Sequence, residues 1–107
     1  MKKMMLVCST GLTTDILVAK IVKIIFSKNL AIDVSAVSGA QALTEYHELK
    51  PDIVLLSPQV RYMKKELETI TKNDQIPLSI IDMKDYGLLD GETILSKAMA
   101  LLGLVMK

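Results

Sequence analysis

The chain has one cysteine. It stands in Leu6-Val7-Cys8-Ser9-Thr10-Gly11-Leu12-Thr13-Thr14-Asp15, where an apolar run meets a stretch of small and hydroxyl residues. A thiolate is a good nucleophile, and phosphoryl transfer through sulfur needs fixed donors for the charge on the equatorial oxygens. Residues 8–14 offer both. Gly11 permits backbone conformations closed to other residues, so that successive N–H groups can turn toward one anion. Ser9, Thr10, Thr13 and Thr14 add hydroxyls, and a helix starting directly behind them adds unpaired N-terminal donors and its positive dipole end. A thiol in such a cradle is expected to titrate below its free value of roughly 8.5. Against this stands packing, because free cysteine is among the most buried residue types. The run of small and hydroxyl residues behind Cys8 is what sets the nucleophile or anion-binding reading beside the packing one.

Composition narrows the remaining classes. The 107 residues fit one domain, 1–107, long enough to bury a core without disulfide or metal staples. Thirteen Lys and Arg against twelve Asp and Glu leave a formal net charge of +1, which gives no electrostatic case for nucleic acid or an anionic membrane. Polar residues interrupt each apolar run well before the ~18 residues that suggest a membrane span, so the chain is not expected to cross one. The start, from Met1-Lys2-Lys3 to Val7, fits a strand better than a signal peptide. A lone cysteine makes no internal disulfide, and a reducing cytoplasm is the expected compartment. His47 is the sole histidine and lies far from Cys8 in sequence, so neither a metal site, a cofactor nor a Cys–His pair is expected. His47, Arg61, Lys64 and Lys65 read as solvated surface, the last three close enough to the crevice to meet an acidic partner. Met63, Met99 and Met106 read as core fill.

Elements able to position the cysteine follow from periodicity. Four short apolar runs read as strands: Met4–Val7, Ala31–Val37 with its period of two, Asp52–Leu56, and Pro77–Ile81. Helical patterns separate and follow them. The first covers Asp15–Lys28, with Lys20, Lys23 and Ser27 on one face and a wide apolar, core-facing remainder. The second is Gly39–Leu49, closed by Lys50-Pro51. The third starts at Ser57-Pro58, with Ser57 expected to cap it and Met63, Leu67 and Ile70 on its inner face. After a loop at Asp82–Gly87, Asp90 is expected to cap a final helix. Such β-α alternation predicts an α/β fold, a four-stranded parallel sheet of order 2-1-3-4 with helices on both faces. Ligands of a doubly wound sheet sit at the strands' C-terminal ends, where the winding reverses. Cys8 ends strand 1 and Ser57-Pro58-Gln59 follow strand 3, so these segments are expected to face each other.

Three segments resemble the IIB component of the bacterial sugar phosphotransferase system (PTS), in its lactose/cellobiose (chitobiose) branch. They are Leu6–Thr14, then Val54-Leu55-Leu56-Ser57-Pro58-Gln59-Val60-Arg61-Tyr62-Met63, then Ile81-Asp82-Met83-Lys84-Asp85-Tyr86-Gly87. The likeness extends over nearly the whole chain. It implies a phosphotransferase working as a phosphocysteine relay. Cys8 takes a phosphoryl group from a phosphohistidine of the IIA protein and passes it to a sugar, of the β-linked disaccharide class, presented by the membrane transporter IIC. By position, the resemblance makes Cys8 the nucleophile and Ser9, Thr10, Gly11, Leu12, Thr13 and Thr14 the phosphate loop, with Asp15 directly behind. Gln59 and the Asp82–Tyr86 stretch become rims of the crevice. Asp15 departs from the pattern, standing where a small hydroxyl residue is expected. It suits the helix dipole, yet near a phosphoryl dianion it would repel.

Two other classes compete. A low-molecular-weight phosphatase shares the layout but wants an arginine six positions after the cysteine, whose fork holds the equatorial oxygens; Thr14 stands there. Asp82 or Asp85 would have to supply its leaving-group acid. A flavin-phosphate binder could use Ser9–Thr13, but no Trp, one Phe and three Tyr are thin material for sandwiching a flavin ring. A relay cysteine must be reached by two macromolecules in turn, so weak, exchanging complexes are expected, with Ile16 beside the loop as part of the docking patch. Tyr62 and Tyr86 suit either half-buried rims or partner anchors.

Overall fold

The computed structural model describes residues 1–9 and 12–104, residue 12 through its backbone. Four strands, β1 (Lys2–Cys8), β2 (Ile32–Ser38), β3 (Ile53–Leu56) and β4 (Leu78–Ile80), form one sheet in the order β2-β1-β3-β4. Every pairing is parallel. The winding reverses at β1, so its C-terminal end opens into the crevice between β1 and β3. This is the architecture expected from the alternation.

The central strands, β1 from Met4 onward and β3, are buried on both faces, which is why they read as continuous apolar runs. On one face Met4, Leu6, Cys8, Ile53 and Leu55 pack under α1 (Leu12–Ser27), α4 (Met83–Gly87) and α5 (Gly91–Leu101), which contribute Leu17, Ile21, Tyr86, Ile94 and Leu95. On the other, Met5, Val7, Val54 and Leu56 meet Ala42 and Tyr46 of α2 (Ala42–Leu49), Val60 and Met63 of a 3-10 segment (Pro58–Met63), and Leu67 of α3 (Lys64–Asn73). Each fully buried aliphatic side chain contributes about 1.5–3 kcal/mol of transfer free energy, so the core holds the site from beneath on both sides of β1. Met99 is core as expected, while Met106 lies outside the described residues.

Four local expectations are corrected. Helix α1 begins at Leu12 and not at Asp15, so Leu12, Thr13 and Thr14, expected in the turn, are helical. Its apolar circumference is not all core-facing. Leu17 and Ile21 are buried, whereas Val22 and Phe26 are exposed, Phe26 at 86 %. A helix lying on a sheet buries one stripe at 3.6-residue spacing and turns the opposite stripe outward whatever its chemistry. The Asp82–Gly87 loop is a short helix, α4, because the Asp82 carboxylate accepts from the Lys84 N–H (2.8 Å) and the Asp85 N–H (3.4 Å). Ser57 stands at the expected cap position with Pro58 next, but its side chain makes no cap bond, and its carbonyl takes the Val60 N–H instead (3.1 Å). Asp90 caps α5 as expected, accepting from the Thr93 N–H at 3.1 Å and its hydroxyl at 2.7 Å.

Candidate functional site

Cys8 is the last residue of β1, paired in register with Ser38 of β2. On the other side the Ser57 N–H donates to the Val7 carbonyl at 2.8 Å, which carries the β3 side one residue past the paired Val7 and Leu56. The two segments expected to meet do meet. Alternation along β1 turns the Cys8 side chain to the same face as Met4 and Leu6, and it is only 3 % exposed. Its thiol reaches the Val37 carbonyl at 3.8 Å, a weak S–H contact.

The surroundings of the sulfur push its titration up, not down. Burial among apolar side chains disfavours the thiolate most, and the Asp15 carboxylate adds to this, while the Thr14 hydroxyl works the other way. The expectation of a thiol below the free value is therefore corrected for the described residues: removal from water outweighs the hydroxyl donor. Two members of the expected cradle, Thr10 and Gly11, lie outside the described residues, as does the side chain of Leu12. Ser9, Thr13 and Asp15 are exposed around the sulfur's end of the sheet. Thr14 is buried on the first turn of α1, and its hydroxyl donates to the Ser9 carbonyl at 2.9 Å. That bond ties the start of the helix to the end of the strand.

Gln59 and Tyr86 come together as two walls of one open cleft of about 490 Å³, completed by Pro58, Arg61, Tyr62, Met83 and Gly87. Tyr86 is buried and sends its hydroxyl to within 3.5 Å of Thr14 Oγ1, so the same side chain bounds the cleft and touches the turn behind Cys8. Asp82 and Asp85, expected at this rim, point elsewhere. Asp82 caps α4, and Asp85 pairs with Lys97 of α5 at 2.7 Å beside a separate pocket of about 310 Å³. Both carboxylates offered as a phosphatase's leaving-group acid are thus already engaged. His47 is exposed and packs edge-on against Tyr46, away from the sulfur's end of the sheet. Among the described residues no group of three His, Cys, Asp or Glu is placed to hold a metal ion. No described helix is long and apolar enough to cross a membrane.

Two features of this neighbourhood lie outside the sequence reading. The Thr14–Tyr86 contact joins residues far apart in the chain and leaves no local signal. Ser57 reads as a cap from sequence; the signal for its other position is its place in the β3 alternation, two residues beyond Leu55 and so on the Cys8 side.

A family model described as "PTS system, Lactose/Cellobiose specific IIB subunit" matches residues 3–97. The chain belongs to this family. The oligo-β-mannoside-specific EIIB component of Bacillus subtilis (strain 168) is 33 % identical over 102 residues, covering 95 % of this chain and 97 % of that one. The galactose-specific EIIB component of Lactococcus lactis subsp. cremoris (strain MG1363) is 33 % identical over 100 residues, covering 91 % and 93 %. Among solved structures, the cellobiose-specific IIB protein of Borrelia burgdorferi superposes with a TM-score of 0.76 at 39 % identity, over 95 % of this chain and 92 % of that one. This IIB protein is therefore a phosphotransferase component of a sugar-specific PTS.

Proposed function

We propose that this IIB protein carries a phosphoryl group on Cys8, taken from a phosphohistidine of a IIA partner and given to a sugar held by a IIC transporter. The observation that carries the reading is the position of the chain's one thiol, that of Cys8. It ends β1 at the winding reversal, beside the Thr14 hydroxyl and the first turn of α1. Nucleophile, hydroxyl donor and helix N-terminus meet there, which suits an anion bonded to sulfur. Ser9 to Thr14 act as the phosphate loop.

In the first transfer the sulfur attacks phosphorus, an S–P bond forms and the N–P bond breaks. The thiol proton passes to the imidazole nitrogen that the phosphoryl group vacates. A thiol held protonated by burial therefore reacts when the donor docks and supplies that nitrogen. In the second transfer a sugar hydroxyl oxygen attacks phosphorus, the S–P bond breaks, and the hydroxyl proton ends on sulfur. With Thr14 where a phosphatase keeps its arginine, no guanidinium fork helps water compete for the phosphoryl group.

Large apolar side chains ring this end of the fold. Tyr62, Met83 and Leu88 are exposed near the Gln59–Tyr86 cleft, and Ile16 is 39 % exposed behind the loop. Such a surface suits two partners that dock in turn and release, at the cytoplasmic side where IIA and IIC both present themselves. The relatives' names span β-mannosides and galactose; a β-linked disaccharide is the sugar class we assign.

A reconstituted relay tests this, with phosphoenolpyruvate, the two general PTS proteins and a IIA partner. Intact mass should rise by one phosphoryl group, mapped by fragmentation to Cys8, and Cys8→Ser should abolish it with the fold intact. A phosphoryl group on another residue, or catalytic hydrolysis of aryl phosphates, would overturn the reading.

A further inference from the structure

Ser57 is fully buried, and its hydroxyl has no hydrogen-bond partner among the described residues. Buried hydroxyls are ordinarily paired, so an orphan asks for an explanation. Capping does not supply one, because the Val60 N–H goes to the Ser57 carbonyl and Pro58 has no N–H.

The register shows what lies beside it. Val7 pairs with Leu56, so Ser57 runs alongside Cys8. Ile53 and Leu55 face the cluster that contains Cys8, while Val54 and Leu56 face the other. Ser57 keeps an extended backbone (φ −67°, ψ 156°), so the alternation continues and its side chain falls on the Cys8 face. Neighbouring strands are about 4.8 Å apart, which brings a hydroxyl on one within reach of a group attached to sulfur on the other. The thiol, meanwhile, turns to the Val37 carbonyl on the β2 side. Once the sulfur carries negative charge, that carbonyl repels it, and the donor on the β3 side is free.

We propose that Ser57 is a donor held in reserve for an anion on the Cys8 sulfur, first the thiolate and then the phosphothiolate. The second part rests on the relay function above. Its hydroxyl has no partner among the described residues in the resting thiol and gains one when charge arrives, so it favours the charged states without strengthening the resting one. Among the described residues, the other groups acting on the sulfur are Thr14 and Asp15 from α1, with Tyr86 of α4 behind Thr14.

Ser57→Ala separates this role from ordinary packing. In the thiol state it removes only an orphan, so thermal stability should hold or rise. In the charged states it removes a donor. Alkylation of Cys8 by iodoacetamide, followed against pH, should show about tenfold less thiolate at a fixed pH below the midpoint. Phosphorylated Ser57→Ala should melt below phosphorylated wild type and lose its phosphoryl group faster. An unchanged Cys8 titration overturns the proposal. So does a stability change of the same sign and size in thiol and phospho forms, or a variant that unfolds as the thiol, since the hydroxyl would then already be bonded. If wild type accepts no phosphoryl group, the relay reading falls, and the titration alone still decides the role of Ser57.

Discussion

The hydroxyls of Thr14 and Tyr86 lie 3.5 Å apart, linking the first turn of α1 to α4 across 72 positions of sequence. Thr14 has one proton to give and in this structure gives it to the Ser9 carbonyl. A tyrosine behind it limits the directions in which that hydroxyl can turn. Turned from the Ser9 carbonyl to the sulfur, that one proton makes Thr14 the described group that most directly eases charge onto Cys8, with Tyr86 as its support.

Replacing Thr14 with Val should raise the Cys8 titration midpoint by about one pH unit, the size expected when a charged acceptor loses one hydroxyl donor. Thr14→Ser should restore most of it. Tyr86→Phe, which keeps the ring in the core, should move the midpoint in the same direction by less. Thiolate absorbance near 240 nm against pH reads all three. A Thr14→Val midpoint equal to wild type would remove Thr14 from the chemistry of the sulfur.

Asp15 acts with the opposite sign. Its carboxylate raises the Cys8 titration, so Asp15→Asn should lower the midpoint and speed alkylation near neutral pH by a few-fold. Because Asp15 is exposed, salt screens its effect. The difference between variant and wild type should shrink from low to high ionic strength. A salt-independent difference would point to a packing effect instead.

The Lys97–Asp85 pair carries a pH signature of its own. The Asp85 carboxylate holds the Lys97 ammonium above its ordinary value of 10.5, so the folded state binds that proton more tightly than the unfolded chain does. The resulting stability is complete below 10.5 and lost as pH rises through the raised value. Lys97→Met should melt below wild type at pH 8, with Lys97→Arg in between, and the gap should close as pH climbs past the lysine range. Asp85 is nearly buried, so the methionine variant also strands a carboxylate away from water. A gap that does not change with pH would mean that packing, not charge, is what Lys97 contributes.

The sheet was legible because its central strands face helices on both sides. Met4–Val7 and Ile53–Leu56 must be apolar at every position, and that constraint is written along the chain. The meeting of Cys8 with the segment after β3 followed from strand order alone. Helix α4 was missed because five residues are too few to show a period, leaving Asp82 as the only mark. The exposed face of α1 was missed because apolar residues fill both sides of that helix, and Phe26 looks no different from Leu17 until the sheet claims one of them. The direction in which Cys8 titrates was misjudged for another reason. Spacing reveals which donors are near the sulfur, but depth decides how much water it loses, and β1 carries it under α1 and α4.

That depth has a chemical consequence for a protein with no second thiol. Peroxides attack thiolates that solvent can reach, and the first product, a sulfenic acid, is normally rescued by a neighbouring cysteine closing a disulfide. Here no such neighbour exists, so an oxidised sulfur would be on its way to irreversible damage. Shelter beneath the helices and a retained proton both act against that first oxidation step, at the expense of a slower bare nucleophile.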